Sequence, residues 1–399
     1  MSRQIQEAYI VAATRTPVAK RNGLFRSVRP DDMLAHVLSS VVAKVPGLDA
    51  QEIGDVIVGC AMPEAEQGMN VARIGLLLAG LPDTVPGITI NRFCSSGLQA
   101  VADAAARIRL GEAEVMIAAG TESMSAMPQI MGNKVSLNPA IFAKQENVGI
   151  AFGMGLTAEK VAQQWKVNRE DQDTFALHSN QRACAAIAAG LFRNEISPYT
   201  VRAHVPGEGG AARVVESVVD TDEGPRADAS LESLGKLKPV FAARGSVTAG
   251  NSSQMSDGAG AVLLMSEAAV KRYGVTPIAR FVSYSVAGVP PQIMGIGPVE
   301  AIPRALKAGG VALGEVGWIE LNEAFAAQAL AVMRQLSLDP AKVNPLGGAI
   351  ALGHPLGATG AIRTATLMSA MQRDASLRYG MISMCIGTGM GAAGVFERV

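Results

Sequence analysis

The amino-acid sequence predicts an α/β protein made of two similar halves. Apolar runs rich in β-branched and small residues, such as residues 9–13 and 115–119, alternate with helix-like stretches rich in alanine. This alternation is typical of βαβ units, in which mostly parallel strands are covered by helices. In addition, three pairs of segments recur in the same order along the chain, which indicates that the fold is duplicated.

The repeat assigns the elements of each half in order. Each pair consists of a strand together with the loop or helix that follows it. The matched segments are residues 9–17 with 280–291, 53–59 with 316–322, and 88–121 with 343–388. In the third pair, Cys94 and His354 fall at equivalent helix starts, so we expect both halves to contribute to one site.

The domain organisation follows from the repeat. A chain of 399 residues exceeds what one ordinary core supports, so more than one domain is expected. We predict a first half of residues 1–120 with 248–269 and a second half of residues 270–399. Residues 121–247, which include a methionine-rich stretch at 124–154, are predicted to form an inserted loop domain over the site.

The overall charge and hydropathy argue against several classes of function. Thirty-five basic residues balance thirty-five acidic ones, so we expect neither nucleic acid nor a membrane as a partner. No run reaches the roughly 18 apolar residues that would span a bilayer. The first residues lead directly into a strand-like run without the pattern of a signal peptide, so we expect a cytoplasmic protein.

The cysteines and histidines do not suggest a metal centre. The four cysteines, at positions 60, 94, 184 and 385, are widely spaced, and four histidines accompany them. The chain has no Cys-x-x-Cys pair, so neither a disulfide framework nor a zinc site is indicated. We therefore expect no metal and no resident cofactor.

Cys94 is the first candidate for chemistry. It lies in Asn-Arg-Phe-Cys-Ser-Ser-Gly at the predicted start of a helix, where unpaired N–H groups and the helix dipole favour a thiolate. On this basis we expect the pKa of Cys94 to lie well below about 8.5. The alternative is a small buried apolar side chain, which is common for free cysteine. His354 and Cys385 supply a candidate base and a second thiol.

Four motifs together closely resemble the active-site blocks of the thiolase family. They are the Cys94 motif, Asn-Glu-Ala-Phe-Ala at 322–326, Gly-His-Pro-Leu-Gly at 353–357 and Cys-Ile-Gly-Thr-Gly at 385–389. The resemblance runs from about Tyr9 to Arg398. It implies a duplicated thiolase-type fold, with helices sandwiched between the sheets of two α/β halves and an inserted loop domain. It also implies acyl-CoA and CoA as substrates and a homodimer or homotetramer.

The residue types suit acyl transfer between thiols. Cys94 is the predicted nucleophile, because an acyl group passes between thioesters at nearly equal energy. His354 would accept its proton. Cys385 would act as acid and then as base, because a thiol pKa near 8.5 permits both roles near neutrality.

Other site residues rest on the resemblance. It implies one oxyanion hole made by the backbone amides of Cys94 and Gly387, and another made by His354 and a water held by Asn322. The expected contacts of CoA and its acyl chain are Met154, Arg226, Ser253, Met294 and Phe325.

Alternatives to a degradative thiolase remain. A ketoacyl synthase would share the fold and the nucleophile but would need a second histidine or an asparagine in place of Cys385. A non-catalytic acyl-CoA-binding protein would not need these groups together. Biosynthetic acetoacetyl-CoA thiolases show His-Met-Gly where this chain has Gly153-Met154-Gly155. The missing histidine favours the 3-ketoacyl-CoA thiolase, which cleaves longer substrates to acetyl-CoA and a shortened acyl-CoA.

Overall fold

A computed structural model describes residues 5–127, 136–207, 209 and 211–399. Within these residues the strands are β1 (Ala8–Arg15), β2 (Ala19–Lys20), β3 (Ile53–Gly59), β4 (Gly87–Ile90), β5 (Val115–Ser123), β6 (Tyr199–Pro206), β7 (Ala212–Val219), β8 (Ser256–Ser266), β9 (Ala279–Gly288), β10 (Val316–Leu321), β11 (Tyr379–Ile386) and β12 (Met390–Arg398). The helices are α1 (Pro30–Ala43), α2 (Val71–Leu78), α3 (Ser96–Arg109), α4 (Met154–Gln164), α5 (Arg169–Ala188), α6 (Leu231–Gly235), α7 (Glu267–Tyr273), α8 (Gly297–Gly309), α9 (Ala326–Gln335), α10 (Ala349–Leu352) and α11 (Thr359–Arg373).

The strands form two half-sheets of matching topology. The first has the order β4-β3-β5-β8-β1 and the second has the order β10-β11-β12-β9. At the outer edge of the second, Val343 bridges Ile319 in parallel and takes the place of β4. All strands of one half point the same way except β8 in the first and β12 in the second. The predicted α/β duplication is confirmed.

The two half-sheets meet through a short contact. Strands β1 and β9 pair antiparallel over two residue pairs, so all described strands except β6 and β7 form one continuous sheet of ten strands, in which β2 is attached to β8. An antiparallel join between equivalent strands relates the halves by an approximate two-fold axis. The repeat read from the sequence is therefore also a symmetry of the molecule.

Helices α3 and α11 lie between the half-sheets and pack against each other, as the sandwich prediction requires. They cross closely near their first turns. A Cβ on Gly97 would lie 2.7 Å from the backbone nitrogen of Ala361, and a Cβ on Gly360 would lie 2.0 Å from that of Leu98. Glycine is needed at both positions because no side chain fits. The crossing brings the segments before the two helices, which contain Cys94 and His354, into contact.

The middle of the chain packs mainly against the second half. Helix α4 contacts α9 and the short 3-10 helix Pro291–Ile296, and α5 contacts α9 and α10. Strands β6 and β7 form a separate hairpin. Strand β5 runs to Ser123, three residues beyond the predicted boundary at 120. The predicted domain limits stay predictions. Within the methionine-rich stretch 124–154, residues 128–135 lie outside the described part of the chain.

Candidate active site

Cys94 lies in a tight turn between β4 and α3. Phe93, the residue before it, has a φ of +44°, which is uncommon for a residue other than glycine. Side chains hold the turn closed: Ser96 Oγ donates to the carbonyl of Phe93 at 2.7 Å, and Asn91 Oδ1 accepts from its N–H at 2.8 Å. Residues in such conformations cluster at functional sites when their surroundings fix them. The turn points the thiol towards the second half of the chain.

The predicted thiolate at Cys94 is wrong for the unliganded protein. Cys94 is 9% exposed, and its helix begins two residues later, at Ser96. Burial raises the pKa of the Cys94 thiol to about 11, although the backbone N–H of Gly387 bonds the sulfur and opposes this shift. The loss of water around sulfur outweighs the backbone hydrogen bonds that favour the thiolate. Cys94 therefore rests as a neutral thiol.

His354 is fully enclosed and held at both ring nitrogens. Nδ1 lies 2.6 Å from Thr359 Oγ1, at the first residue of α11, and Asn322 Nδ2 lies 3.3 Å from Nε2. Burial, and second the positive charge of Arg363, lower the pKa of His354 to about 3. The imidazole is therefore neutral. If Nδ1–H donates to Thr359, the Nε2 lone pair accepts the long hydrogen bond from Asn322, which must break before Nε2 takes up a proton.

The backbone around His354 is fixed as well. Gly353 has a φ of +91°, and a Cβ there would lie 2.3 Å from Ser256 Oγ. The N–H of His354 donates to the carbonyl of Gln254 at 3.1 Å and to Ser256 Oγ at 3.2 Å. The following 3-10 turn, Leu356–Ala358, packs on the Cys94 turn. These contacts place His354 beside Cys94.

Cys385 is the penultimate residue of strand β11, which also packs on the Cys94 turn. Burial, and second the charge of a Cys94 thiolate, raise the pKa of Cys385 well above its usual range. The expected value near 8.5 is therefore wrong for the unliganded site. The same interaction indicates that the two sulfurs are neighbours. Gly387, two residues later, places its N–H on the sulfur of Cys94.

Asn322 follows β10 and joins this group through His354. Its own N–H donates to the carbonyl of Ser383 at 2.9 Å, which fixes it to β11. Its Oδ1 is buried and has no hydrogen-bond partner among the described residues. Such an atom needs a partner, and an ordered water is the common solution. The geometry fits the water that the family resemblance implies.

Apolar residues predicted to contact CoA surround Cys385. Met294 and Phe325 share its buried cluster, with Met154 packed against them. The sulfur of Met154 lies 3.6 Å from where a Cβ of Gly387 would be. Phe241, which sequence reasoning missed, meets Phe325 edge to face with ring centroids 6.1 Å apart. Nothing in its sequence context separates it from an ordinary surface aromatic.

The structure brings Ser253 to the same place and leaves Arg226 apart. The N–H of Ser253 donates to the carbonyl of Ala324, next to Phe325, at 3.0 Å. Arg226 is exposed, and its backbone N–H donates to Asn180 Oδ1 on α5 at 3.0 Å. No contact described here links the Arg226 side chain to the thiols.

Two further polar residues, Thr359 and Glu122, support the site, and the sequence analysis assigned them no role. Thr359 bonds His354, and Glu122 bonds the N–H of Gly357 at 2.8 Å. The spacing of five residues from His354 was a usable signal for Thr359, because a helix start brings it back onto the ring. Glu122 acts across the two halves, so sequence spacing gave no signal for it.

The arrangement supports chemistry between thiols. It contains two neutral thiols side by side, a neutral imidazole and a backbone N–H directed at the nucleophile. Within the described residues, no group of three or more potential metal ligands is present. Nor does any helix in that part of the chain have the length and apolar character needed to cross a membrane.

Comparisons with known proteins agree with this site. The model of the thiolase N-terminal domain matches residues 8–268, and that of the thiolase C-terminal domain matches residues 275–398. A 3-ketoacyl-CoA thiolase of Bacillus subtilis is 50% identical over 394 residues, which cover 98% of this chain and 100% of that protein. The human peroxisomal 3-ketoacyl-CoA thiolase is 44% identical, with 98% and 91% covered.

Solved structures agree as well. An acetyl-CoA acetyltransferase of Bacillus anthracis has a TM-score of 0.89 at 40% identity, with both chains fully covered. The dimeric peroxisomal thiolase of Saccharomyces cerevisiae has a TM-score of 0.89 at 38% identity, with 99% and 98% covered. The predicted family and the predicted acyltransferase activity are therefore confirmed: the chain belongs to the thiolase family.

Proposed function

We propose that this protein is a 3-ketoacyl-CoA thiolase, which uses CoA to cleave a 3-ketoacyl-CoA into acetyl-CoA and a shortened acyl-CoA. The observation that carries the proposal is the pair of neighbouring buried thiols, Cys94 and Cys385, beside a neutral imidazole. A hydrolase would need one nucleophile and a water, whereas a second thiol suits the making and breaking of a carbon–carbon bond next to a thioester. The names of the relatives support this activity.

In the first half-reaction, Cys94 attacks the 3-keto carbon of the substrate. Its proton passes to Nε2 of His354, whose low pKa reflects the unliganded site and rises once negative charge develops beside it. The bond between C2 and C3 then breaks, and the electron pair leaves as the enolate of acetyl-CoA. Cys385 donates its proton to C2, which leaves an acyl thioester on Cys94 and a thiolate at Cys385.

In the second half-reaction, the Cys385 thiolate accepts the proton of incoming CoA. Its high pKa suits this role, because a strongly basic thiolate deprotonates CoA readily. The CoA sulfur attacks the acyl group on Cys94, and the Cys94 sulfur leaves and regains its proton from His354. Both cysteines return to thiols, so the cycle closes without another cofactor.

The negative oxygen formed at each step needs fixed donors. We propose the amides of Cys94 and Gly387 for the thioester on Cys94, because the Gly387 N–H already meets that sulfur. We propose His354 and a water on Asn322 for the enolate oxygen, supported by the unpaired Oδ1 of Asn322. Removing one such donor typically costs about 100- to 1,000-fold in rate.

The substrate range rests on Gly153. This glycine is the residue before α4, and a Cβ at that position would meet no atom within 4 Å. The space beside Met154 is therefore open on this side, which favours acyl chains longer than acetoacetyl. Each additional buried methylene contributes up to about 0.8 kcal/mol, or roughly fourfold in binding, until the pocket ends.

The test examines both the acyl-enzyme at Cys94 and the acyl-chain length that the protein accepts. Incubation with acetoacetyl-CoA should leave an acetyl adduct on the native protein and none on Cys94→Ser, as read by intact mass. Thiolysis efficiency for six- and eight-carbon 3-ketoacyl-CoA should equal or exceed that for acetoacetyl-CoA. An equal adduct on Cys94→Ser contradicts the nucleophile, and a steep fall beyond four carbons supports the acetoacetyl-CoA alternative instead.

We also propose that the protein is a homo-oligomer. Strand β4 closes one end of the sheet, and the helix packed on it, α2, exposes Leu77 at 47% and Leu78 at 55%. Ile88 on β4 is 41% exposed. An open strand edge beside exposed apolar side chains is unfavourable in a monomer. The similar yeast enzyme is described as dimeric, which supports a dimer built on this edge.

Other expectations stay predictions. They are the cytoplasmic location, the absence of a resident cofactor, the absence of nucleic-acid and membrane partners, the CoA contact at Arg226 and the domain limits. Similar proteins include peroxisomal ones, so cell fractionation of the source organism is the direct test of location.

A further inference from the structure

Glu122 is a fully buried carboxylate that the proposed mechanism does not use. It lies near the end of β5, in the first half of the chain. Its Oε2 accepts from the N–H of Ala61 at 2.8 Å and from the N–H of Gly357 at 2.8 Å. Its Oε1 accepts from the N–H of Met62 at 3.2 Å and from Gln67 Nε2.

These contacts, together with a longer one from Cys60 Sγ to Oε1 at 3.9 Å, join both halves of the molecule. Ala61 and Met62 follow β3, in the half that carries Cys94, whereas Gly357 lies three residues after His354. The 3-10 turn that contains Gly357 leads into Thr359, which holds Nδ1 of His354. A carboxylate on β5 therefore fixes the segment that both carries the imidazole and orients it.

The surroundings of Glu122 select a carboxylate. Each of its hydrogen-bond partners is a donor, and none of them is a cation. An amide would turn its own N–H groups towards two of these donors. Gln67, which is also fully buried, is itself fixed: its Nε2 donates to the carbonyl of Met62 at 2.7 Å, and its Oε1 accepts from the N–H of Ser123 at 3.0 Å.

We propose that Glu122 is a positioning residue, whose carboxylate fixes the His354 turn of one half against the Cys94 side of the other. The inference rests on the proposed function for its kinetic consequence, but the contact itself does not. The negative charge of Glu122 also contributes to the raised pKa of Cys94. Glu122 thus has an electrostatic effect that a purely structural residue would lack.

The test is Glu122→Gln, with Asp31→Asn as the matched control. Asp31 is a buried carboxylate of the same half, but its bonds stay with Arg29 and the N–H of Asp32. For Glu122→Gln we expect acylation of Cys94 to slow at least tenfold, while the KM for CoA stays within about threefold, as for loss of a residue that orients a catalytic group. Asp31→Asn should acylate at the wild-type rate.

Two further readouts separate positioning from general damage. Amide hydrogen exchange in residues 354–358 should accelerate in Glu122→Gln and not in Asp31→Asn. The pH dependence of Cys94 alkylation should move to lower pH, because a nearby negative charge has gone. General destabilisation would lower the melting temperature, whereas the positioning role predicts both changes at an unchanged melting temperature.

The outcomes are distinct. Wild-type acylation and exchange in a folded Glu122→Gln would overturn the inference. If the wild-type protein itself takes no acyl group, the proposed function fails, and faster exchange at residues 354–358 would still support the positioning contact. Should Glu122→Gln not fold, Glu122→Asp keeps the charge but is one methylene too short to hold Gly357, and a folded Glu122→Asp with normal acylation would overturn the proposal.

Discussion

At the scale of single residues, burial sets the charge of this active site. Cys94 and Cys385 are buried thiols with raised pKa values, and His354 is a neutral imidazole with a lowered one. Removing water penalises each charged form, so the site holds no ion pair before substrate arrives. Charge then develops during the reaction, next to donors that are already in place.

The first prediction concerns the ionisation of Cys94. Because its pKa is raised to about 11, the thiolate fraction of the unliganded enzyme should keep increasing with pH beyond the range of a free thiol. The rate of alkylation by iodoacetamide, followed on the Cys94 peptide by mass spectrometry, should therefore rise from pH 7 to at least about pH 10. A rate that is already constant at pH 7 would mean that a thiolate is stabilised there.

The raised pKa of Cys94 also lowers the stability of the folded protein at alkaline pH. In the folded protein Cys94 keeps its proton above the pKa of the unfolded thiol, near 8.5. The free energy of unfolding therefore decreases between about pH 8.5 and 11 because of this group. Cys94→Ala should lose that part of the alkaline destabilisation in denaturant titrations at successive pH values.

The second prediction separates the two thiols. Cys385→Ala should still accept an acetyl group from acetyl-CoA at Cys94, because Cys94 and His354 suffice to form the thioester, but more slowly, because the departing CoA sulfur no longer receives a proton from Cys385. It should lose deuterium exchange at the acetyl methyl group of acetyl-CoA by about 100-fold or more, as expected on removing a general acid–base group. Exchange measured by mass spectrometry at the wild-type rate would reduce Cys385 to a packing residue.

At the scale of elements, the glycine crossing of α3 and α11 holds the catalytic segments together. The two helices approach so closely that backbone touches backbone at Gly97 and Gly360. Protein interiors are close-packed, so a displacement at one contact is transmitted to its neighbours. A change at the crossing should therefore affect stability and catalysis together.

The third prediction tests this crossing with Gly97→Ala. The new methyl group would lie 2.7 Å from the nitrogen of Ala361 and 2.9 Å from the carbonyl oxygen of Gly357, so the helices must separate. We expect a loss of about 1–3 kcal/mol in the free energy of unfolding, together with slower acylation of Cys94. Gly235→Ala, on α6, is the control, because its Cβ would meet nothing within 4 Å. Equal stability of the two variants in urea would contradict the tight crossing.

At the scale of the whole molecule, the proposed assembly rests on the edge of the sheet at β4. An edge strand with exposed apolar side chains can pair with a second copy, and a symmetric dimer would cover both edges at once. The Cys94 turn follows β4 directly, so the same contact would support the catalytic turn.

The fourth prediction is that Ile88→Lys weakens the oligomer. A charged side chain at a position that is 41% exposed in the single chain would be buried without a partner in the assembly. Sedimentation equilibrium should show at least a tenfold weaker association. Val218→Lys, at a site on β7 that is 65% exposed, should associate normally. A wild-type protein that is monomeric at micromolar concentration would remove the basis of this prediction.

Much of the fold could be predicted from local sequence. The paired segments beginning at Ile53 and Val316 are strands at matching positions in the two half-sheets, because each carries its own apolar pattern. The join of the half-sheets through β1 and β9 could not be predicted, because pairing between residues some 270 positions apart leaves no local pattern. The same limit applies to Phe241, whose contact with Phe325 forms through the fold alone.

By itself, the sequence determined the duplicated α/β class, the thiolase family and the residues that could react, because periodicity, repeats and motif chemistry are local properties. The tertiary structure decided the protonation state of these residues and the side chains that hold them in place. Burial, which depends on the whole fold, turned the expected thiolate of Cys94 into a thiol. Long-range packing supplied Thr359 and Glu122 as the partners of the His354 segment, since hydrogen bonds in a buried site form between whichever donors and acceptors the fold brings together.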